Sequence, residues 1–251
     1  QALSASRTAK YRPCPGGVSI GHKDITAGSF GVVCYDNDTN EPYILSNNHV
    51  LANEASLQSS GGMIGDAIVQ PGIYDRGTIA MDTIGTLERT SVLDQINENE
   101  FDCALAKPVS VSDISSTILE EGVITQIGEP YIGDIVTKSG RSTGLTESRI
   151  VDVNATIKVT YSRLGELIFK NQTIISPGFA SGGDSGSIIR RNRDGAAVGL
   201  LFAGSETISI ANKMIGVADL MNINLGGGTV PPLAEVPQSG TTWLPVAALG
   251  G

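Results

Sequence analysis

Residues 180–189 read ASGGDSGSII, which sets Ser185 between Gly183-Asp184 and Gly186, just before the apolar pair Ile188-Ile189. Glycines here let the backbone turn sharply and aim neighbouring N–H groups at one spot, as an oxyanion site requires. The same residues also suit an ordinary hairpin loop, because Gly, Asp and Ser are common in turns. A serine hydroxyl becomes a nucleophile only beside a general base, normally an imidazole. The chain holds two histidines, His22 and His49. His49 lies in SNNHVLA (46–52), where a polar turn runs into apolar residues and holds a ring at a barrel edge. His22 in IGHKD (20–24) reads as an exposed loop residue.

Chain order narrows the chemistry. Both histidines precede Ser185, which excludes the Ser, Asp, His order of the α/β-hydrolases, and GDSGS (183–187) departs from their G-x-S-x-G elbow. An Asp-first order would draw on Asp24, Asp36 or Asp38, each in a polar turn where solvation suffices. The order His, Asp, Ser needs an acid between 49 and 185, and Asp102 fits best. In FDCALA (101–106) it is a charge inside an apolar strand, a place where a carboxylate without a partner is strongly destabilising. Asp82, Asp134 and Asp152 flank turns or strand ends and need no partner.

The surrounding 251-residue chain has ordinary globular composition, 40% hydrophobic and 17% charged, with 17 Lys+Arg against 26 Asp+Glu for a net charge of −9. This acidity, with no Lys/Arg run, argues against a nucleic-acid partner. The longest apolar stretch, GAAVGLLFAG (195–204), is about half of the ~18 residues a membrane helix needs, so no membrane span is predicted. Cys14, Cys34 and Cys103 form neither a CxxC pair nor an even set, so no zinc or other metal site is expected. A single Cys14–Cys34 bridge and free buried thiols are both compatible with the spacing. The chain opens on Gln1 without a basic-then-apolar leader, as expected of a processed form.

Short β-branched runs recur at the spacing of an all-β barrel: Phe30–Tyr35, Pro42–Ser46, Ala67–Gln70, Thr83–Arg89 and Phe101–Ala106. The second half repeats the habit at Asp134–Lys138, Thr146–Val153, Thr156–Tyr161, Leu167–Ser176, Ser187–Arg191, Ala196–Phe202 and Ile208–Ile215. Short helices are predicted near Ser112–Glu121 and Val217–Asn224, the latter capped by Gly226-Gly227-Gly228. The expected organisation is an N-terminal barrel (16–108), a linker (109–130), a C-terminal barrel with a short helix (131–225), and a Gly/Pro-rich tail (226–251) that carries the only tryptophan, Trp243.

Four motifs together resemble the chymotrypsin-like serine peptidases, and more closely the bacterial branch that includes alpha-lytic protease and the streptogrisins. They are SNNHVLA around His49, FDCALA around Asp102, GGDSGS around Ser185, and KSGRSTGLT from Lys138 to Thr146, which is similar to the SGRTTG stretch of that branch. The resemblance implies two six-stranded antiparallel β-barrels with the active site in the cleft between them. It also implies a serine endopeptidase acting on a protein or peptide substrate without cofactor or metal. In that scheme Ser185 is the nucleophile, His49 the general base and acid, Asp102 the orienting carboxylate, and the N–H groups of Gly183 and Ser185 the oxyanion hole. The substrate pocket carries over to Phe179, Ala180, Ser181, Phe202, Ala203 and Gly204. None of these is charged, which predicts uncharged side chains before the cleaved bond.

Phe202 stands where the family has a serine touching the aspartate, and the streptogrisin-like disulfides have no matching cysteine pairs. The resemblance further implies that Arg141 pairs with Asp184, since Gly16 in Cys14-Pro15-Gly16-Gly17-Val18 is internal and has no free amine. Two other readings are a catalytically silent binding module on the same scaffold and a domain that processes its own termini. No motif specifies a compartment or an oligomeric state.

Overall fold

The β-branched runs of the first half form β1 (Cys14–Gly16), β2 (Ser19–His22), β3 (Gly28–Ser29), β4 (Val32–Asp36), β5 (Pro42–Ser46), β6 (Ala67–Val69), β7 (Thr83–Thr90) and β8 (Ala104–Pro108). The computed structural model describes residues 6–228 and 230–233, so Trp243 and residues 234–251 of the expected tail lie outside the described residues. A four-residue helix α1 (Asn48–Leu51) follows β5, and α2 (Ile79–Asp82) precedes β7.

The expected helix at Ser112–Glu121 is not formed. A 3-10 turn at Val111–Asp113 leads instead into β9 (Ile114–Ile118) and β10 (Gly122–Val123). Ile114, Thr117 and Ile118 are β-branched, and β9 gains parallel pairing with β1, so tertiary pairing prevails over weak helix propensity.

The second half supplies β11 (Ile135–Gly140), β12 (Gly144–Tyr161), β13 (Gly165–Ile175), β14 (Ile188–Arg191), β15 (Ala197–Gly204) and β16 (Ser209–Lys213). They close in the order β11-β12-β13-β16-β15-β14, the expected six-stranded barrel. The two runs expected at Thr146–Val153 and Thr156–Tyr161 are one strand. The turn-like Asp152-Val153-Asn154 is absorbed as register shifts against β13.

Helix α3 (Met214–Met221) lies three residues earlier than expected and ends on Asn222 in the left-handed region (φ 54), ahead of the triple glycine. Beyond it, β17 (Ile223–Asn224) returns to the first half and pairs with β4. The N-terminal sheet therefore has eight strands, β17-β4-β5-β8-β7-β6-β2-β3, and its end strands do not meet, leaving a half-barrel rather than a closed six-stranded one.

Each half has its own core. In the first, Ile20, Phe30, Ile44, Leu51, Ile68 and Leu87 are fully buried; in the closed barrel, Val136, Ile150, Ile175, Phe179 and Ile189 are. At about 1.5–3 kcal/mol per large apolar side chain, these layers hold the strand ends that present the site. Cys14, Cys34 and Cys103 are free and buried, so the Cys14–Cys34 bridge is not formed, and burial pushes all three thiols well above their ordinary pKa.

Candidate active site

His49 sits in α1, whose entry is fixed by two asparagines. Asn47 Nδ2 donates to the Asp102 carbonyl at 2.7 Å, and Asn48 ties the loop beyond the helix through Ala55 N and O, both at 2.9 Å. His49 Nδ1 lies 2.7 Å from Asp102 Oδ2, and the His49 backbone N–H donates to Oδ1 at 3.1 Å. Asp102 is wholly buried, and its own N–H donates to Asn212 Oδ1 at 2.8 Å. Burial opposes a charged His49, but the Asp102 charge, its hydrogen bond and the more distant Glu54 together hold the imidazole above its ordinary pKa.

The side-chain hydroxyl that bonds Asp102 comes from β12. Tyr161, the last residue of β12, donates its hydroxyl to Asp102 Oδ2 at 2.5 Å. Phe202 instead packs on Phe169 (4.9 Å between centroids), which stacks on Tyr161 (6.0 Å).

Ser185 lies in the loop between β13 and β14. Gly183 has φ +93 and Gly186 φ +96, the left-handed region that glycine alone enters without strain. A Cβ on Gly186 would come within 2.4 Å of the Ser29 carbonyl, so the glycines also permit close backbone approach. Ser29 of β3 holds the loop: its N–H donates to the Ser185 carbonyl at 2.7 Å and its Oγ to the Gly183 carbonyl at 3.0 Å. Ser142 Oγ donates to the Gly182 carbonyl at 2.7 Å. With the carbonyls anchored, the Gly183 and Ser185 N–H groups make no hydrogen bond among the described residues. The Ser185 hydroxyl donates to the Phe202 carbonyl at 3.3 Å and makes no hydrogen bond to His49.

The expected Arg141–Asp184 pair is not formed. Arg141 donates to Asp75, from Nε to Oδ2 at 2.5 Å and from Nη2 to Oδ1 at 2.7 Å, and its guanidinium lies over the Tyr74 ring. This fork fits a carboxylate bidentately, and Asp75 faces it across the junction of the two halves. Asp184 is wholly buried and is held by Ser142 N (2.8 Å), Thr143 N (3.1 Å), Thr143 Oγ1 (2.7 Å) and Ser181 N (2.9 Å). Its cation is Lys138, also wholly buried, with Nζ 3.5 Å from Oδ2. Lys138 Nζ donates further to Thr143 Oγ1 and to the Gly144 carbonyl (2.9 Å).

The motif KSGRSTGLT by itself assigns Lys138 no role. The available signal was strand alternation, which puts Lys138 on the same buried face of β11 as Val136. His22 is not the exposed loop residue expected: it is wholly buried on β2, with Nε2 3.1 Å from Asp66 Oδ2 and Nδ1 accepting from Asp24 N.

A cleft of about 810 Å³ opens at Ser185. Ala180, Ser181, Phe202, Ala203 and Gly204 line it, joined by Leu201, Ile208 and Ile210 and by Lys158, Val159 and Thr160 of β12. Phe179 does not line it; its ring is buried in the barrel core, 5.8 Å from the Lys138 ammonium. Among the described residues no helix is long and apolar enough to cross a membrane, and no group of three His, Cys, Asp or Glu could hold a metal.

Solved structures share this architecture. The chain is similar to a Nocardiopsis protease (19% identity, TM-score 0.60, covering 84% of this chain and 97% of that one). It is also similar to a glutamic acid-specific serine protease (18%, TM-score 0.59, 84% and 98%) and to an alpha-lytic protease homologue (16%, TM-score 0.60, 84% and 98%). At such identities the likeness establishes the fold, which is that of the chymotrypsin-like serine proteases. No protein-family profile and no curated protein sequence matches the chain.

Proposed function

We propose that the protein is a serine endopeptidase. The observation that carries this reading is the buried Asp102 holding His49 Nδ1 at 2.7 Å, in a fold whose cleft is lined by Ser185. The Ser185 hydroxyl turns about χ1 from the Phe202 carbonyl to His49 Nε2 as substrate fills the cleft, a tightening common to such sites. Ser185 Oγ attacks the peptide carbonyl carbon while His49 Nε2 takes its proton. The N–H groups of Gly183 and Ser185 receive the oxyanion, worth about 3 kcal/mol per donor in the transition state. His49 then protonates the leaving amine, and water repeats the sequence on the acyl-enzyme to release the carboxylic acid. Asp184, held by Lys138 in place of Arg141, keeps the oxyanion loop in shape.

The alternative of a silent binding module draws support from the Ser185 hydroxyl resting on the Phe202 carbonyl. A fluorophosphonate separates the two. One adduct, mapping to the peptide that carries Ser185, is expected on the folded protein; folded protein without an adduct would favour the silent module.

The cleft lining favours apolar side chains before the cleaved bond. Its charged members are Lys158 and Glu206, both exposed, and Lys158 Nζ lies 3.4 Å from Glu166. The glutamic acid-specific neighbour uses a histidine triad in substrate binding. Here the two histidines are engaged by Asp66 and Asp102, so that route to acidic substrates is absent. A peptide-library profile is expected to favour Leu, Met or Phe over Glu, Lys or Arg by about a hundredfold in kcat/KM. A charged preference would contradict this assignment.

A further inference from the structure

The strands β12 and β13 form a long hairpin whose turn, residues 162–164, rests on the first half of the molecule. Glu54, only 7% exposed, receives it. Its Oε1 accepts from Ser162 N (3.0 Å) and Ser162 Oγ (2.6 Å), and its Oε2 from Arg163 N (2.8 Å). The Arg163 guanidinium donates to the carbonyls of Asn53 (2.6 Å) and Ser60 (2.5 Å). Asn53 and Glu54 both take left-handed φ, +47 and +56, an uncommon pair for non-glycine residues, in the loop that leads out of α1. The tip is thus bonded to the segment that directly follows His49.

Tyr161 is the residue immediately before this tip. Its hydroxyl and His49 Nδ1 share one oxygen of Asp102, at 2.5 and 2.7 Å, and its ring meets the His49 ring edge-on at 6.1 Å. A buried tyrosine with a satisfied hydroxyl is ordinary core structure. What distinguishes this one is its partner, because a third donor on a wholly buried carboxylate fixes the plane of that carboxylate and so the ring bonded to it. Burial and the nearby Asp102 charge keep the phenol protonated well past its ordinary pKa, so it remains a donor.

We infer that the β12–β13 hairpin is a clamp between the two halves: docking of its tip on Glu54 holds Tyr161 against Asp102, and Tyr161 is a positioning residue for His49. The inference rests on the peptidase reading for its kinetic consequence, though not for its geometry. The charged groups that face both His49 and Tyr161 are Asp102 and Glu54.

Tyr161→Phe keeps the ring and its stack on Phe169 and removes one hydrogen bond to a charged group. The expected result is a fall in kcat of about tenfold with KM little changed, since Tyr161 does not line the cleft. The acidic limb of the pH–rate profile should move to higher pH, because an Asp102 with one donor fewer attracts the imidazolium more strongly. The low-field NMR signal of the His49 Nδ1 proton should shift with it.

Arg163→Ala removes two tip bonds and leaves Tyr161 in place. Faster amide exchange at residues 162–164 and a smaller fall in kcat are expected. Unchanged kcat, limb and low-field proton in Tyr161→Phe would overturn the positioning role. Accelerated tip exchange with unaltered kcat in Arg163→Ala would overturn the clamp. Wild-type protein that fails to label at Ser185 would refute the peptidase reading instead, and the low-field proton would still decide the Tyr161 contact.

Discussion

Ser185→Ala is expected to lower kcat about 10⁶-fold, His49→Ala by a similar factor, and the double variant hardly further, because a nucleophile without its base and a base without its nucleophile fail at the same step. About 8 kcal/mol of transition-state stabilisation is at stake. Steady-state hydrolysis of a chromogenic peptide across the three variants measures it. Independent, multiplying losses would mean that the two side chains do not act as one unit. His22→Ala is the informative control, since His22 is bonded to Asp66 and Asp24 away from the cleft. Loss of activity there with His49→Ala tolerated would reassign the base.

Lys138→Met should be the most damaging change outside those residues. It leaves the wholly buried Asp184 without its cation, which destabilises by about 3–5 kcal/mol when one partner of a buried pair is removed. Asp184 sits between the N–H donors of Gly183 and Ser185, so the loss is expected first as a drop in kcat/KM of about a thousandfold and second as a lowered Tm.

The same pair predicts an alkaline limb. Burial lowers the Lys138 pKa, and Asp184 only partly offsets this; Arg7 lowers it further, and Glu121 raises it. The ammonium is therefore lost, as pH rises, below the ordinary lysine value of 10.5. Because the folded-state pKa lies under the unfolded one, the native state releases its proton first, and this group alone makes folding more favourable across that window. Activity should therefore fall on the alkaline side while far-UV circular dichroism holds. Undiminished turnover up to the pH where exposed lysines titrate would remove Lys138 from the support of the loop.

The contrast between Arg141 and Lys138 illustrates what a linear reading can reach. Both residues lie in KSGRSTGLT, and motif resemblance selected the arginine. The choice between them turns on which side chain enters the barrel, and on Asp75, a residue 66 positions away, being there to take the guanidinium. Strand alternation would put Lys138 on the same face as Val136, but a buried lysine is too costly to expect without a visible partner, and the partner lies across the barrel. The helix expected at Ser112–Glu121 failed for a related reason: β1, about a hundred residues earlier in the chain, offers β9 a pairing edge.

Tyr161 could be placed on a strand from its neighbours, yet its bond to Asp102 spans 59 residues and depends on a hairpin long enough to reach the other half. The sequence by itself determined the all-β architecture and most of the strands, and it singled out His49, Asp102 and Ser185 as the candidates on which the proposed function rests. Those features rest on local periodicity, turn chemistry, chain order and the scarcity of histidine, all of which are properties of short segments. Only the tertiary structure decided the open N-terminal sheet, the cation of Asp184, the donors on Asp102 and the clamp at Glu54. Each of these depends on which distant groups a closed barrel and an extended hairpin bring within about 3 Å, where a hydrogen bond or ion pair can form.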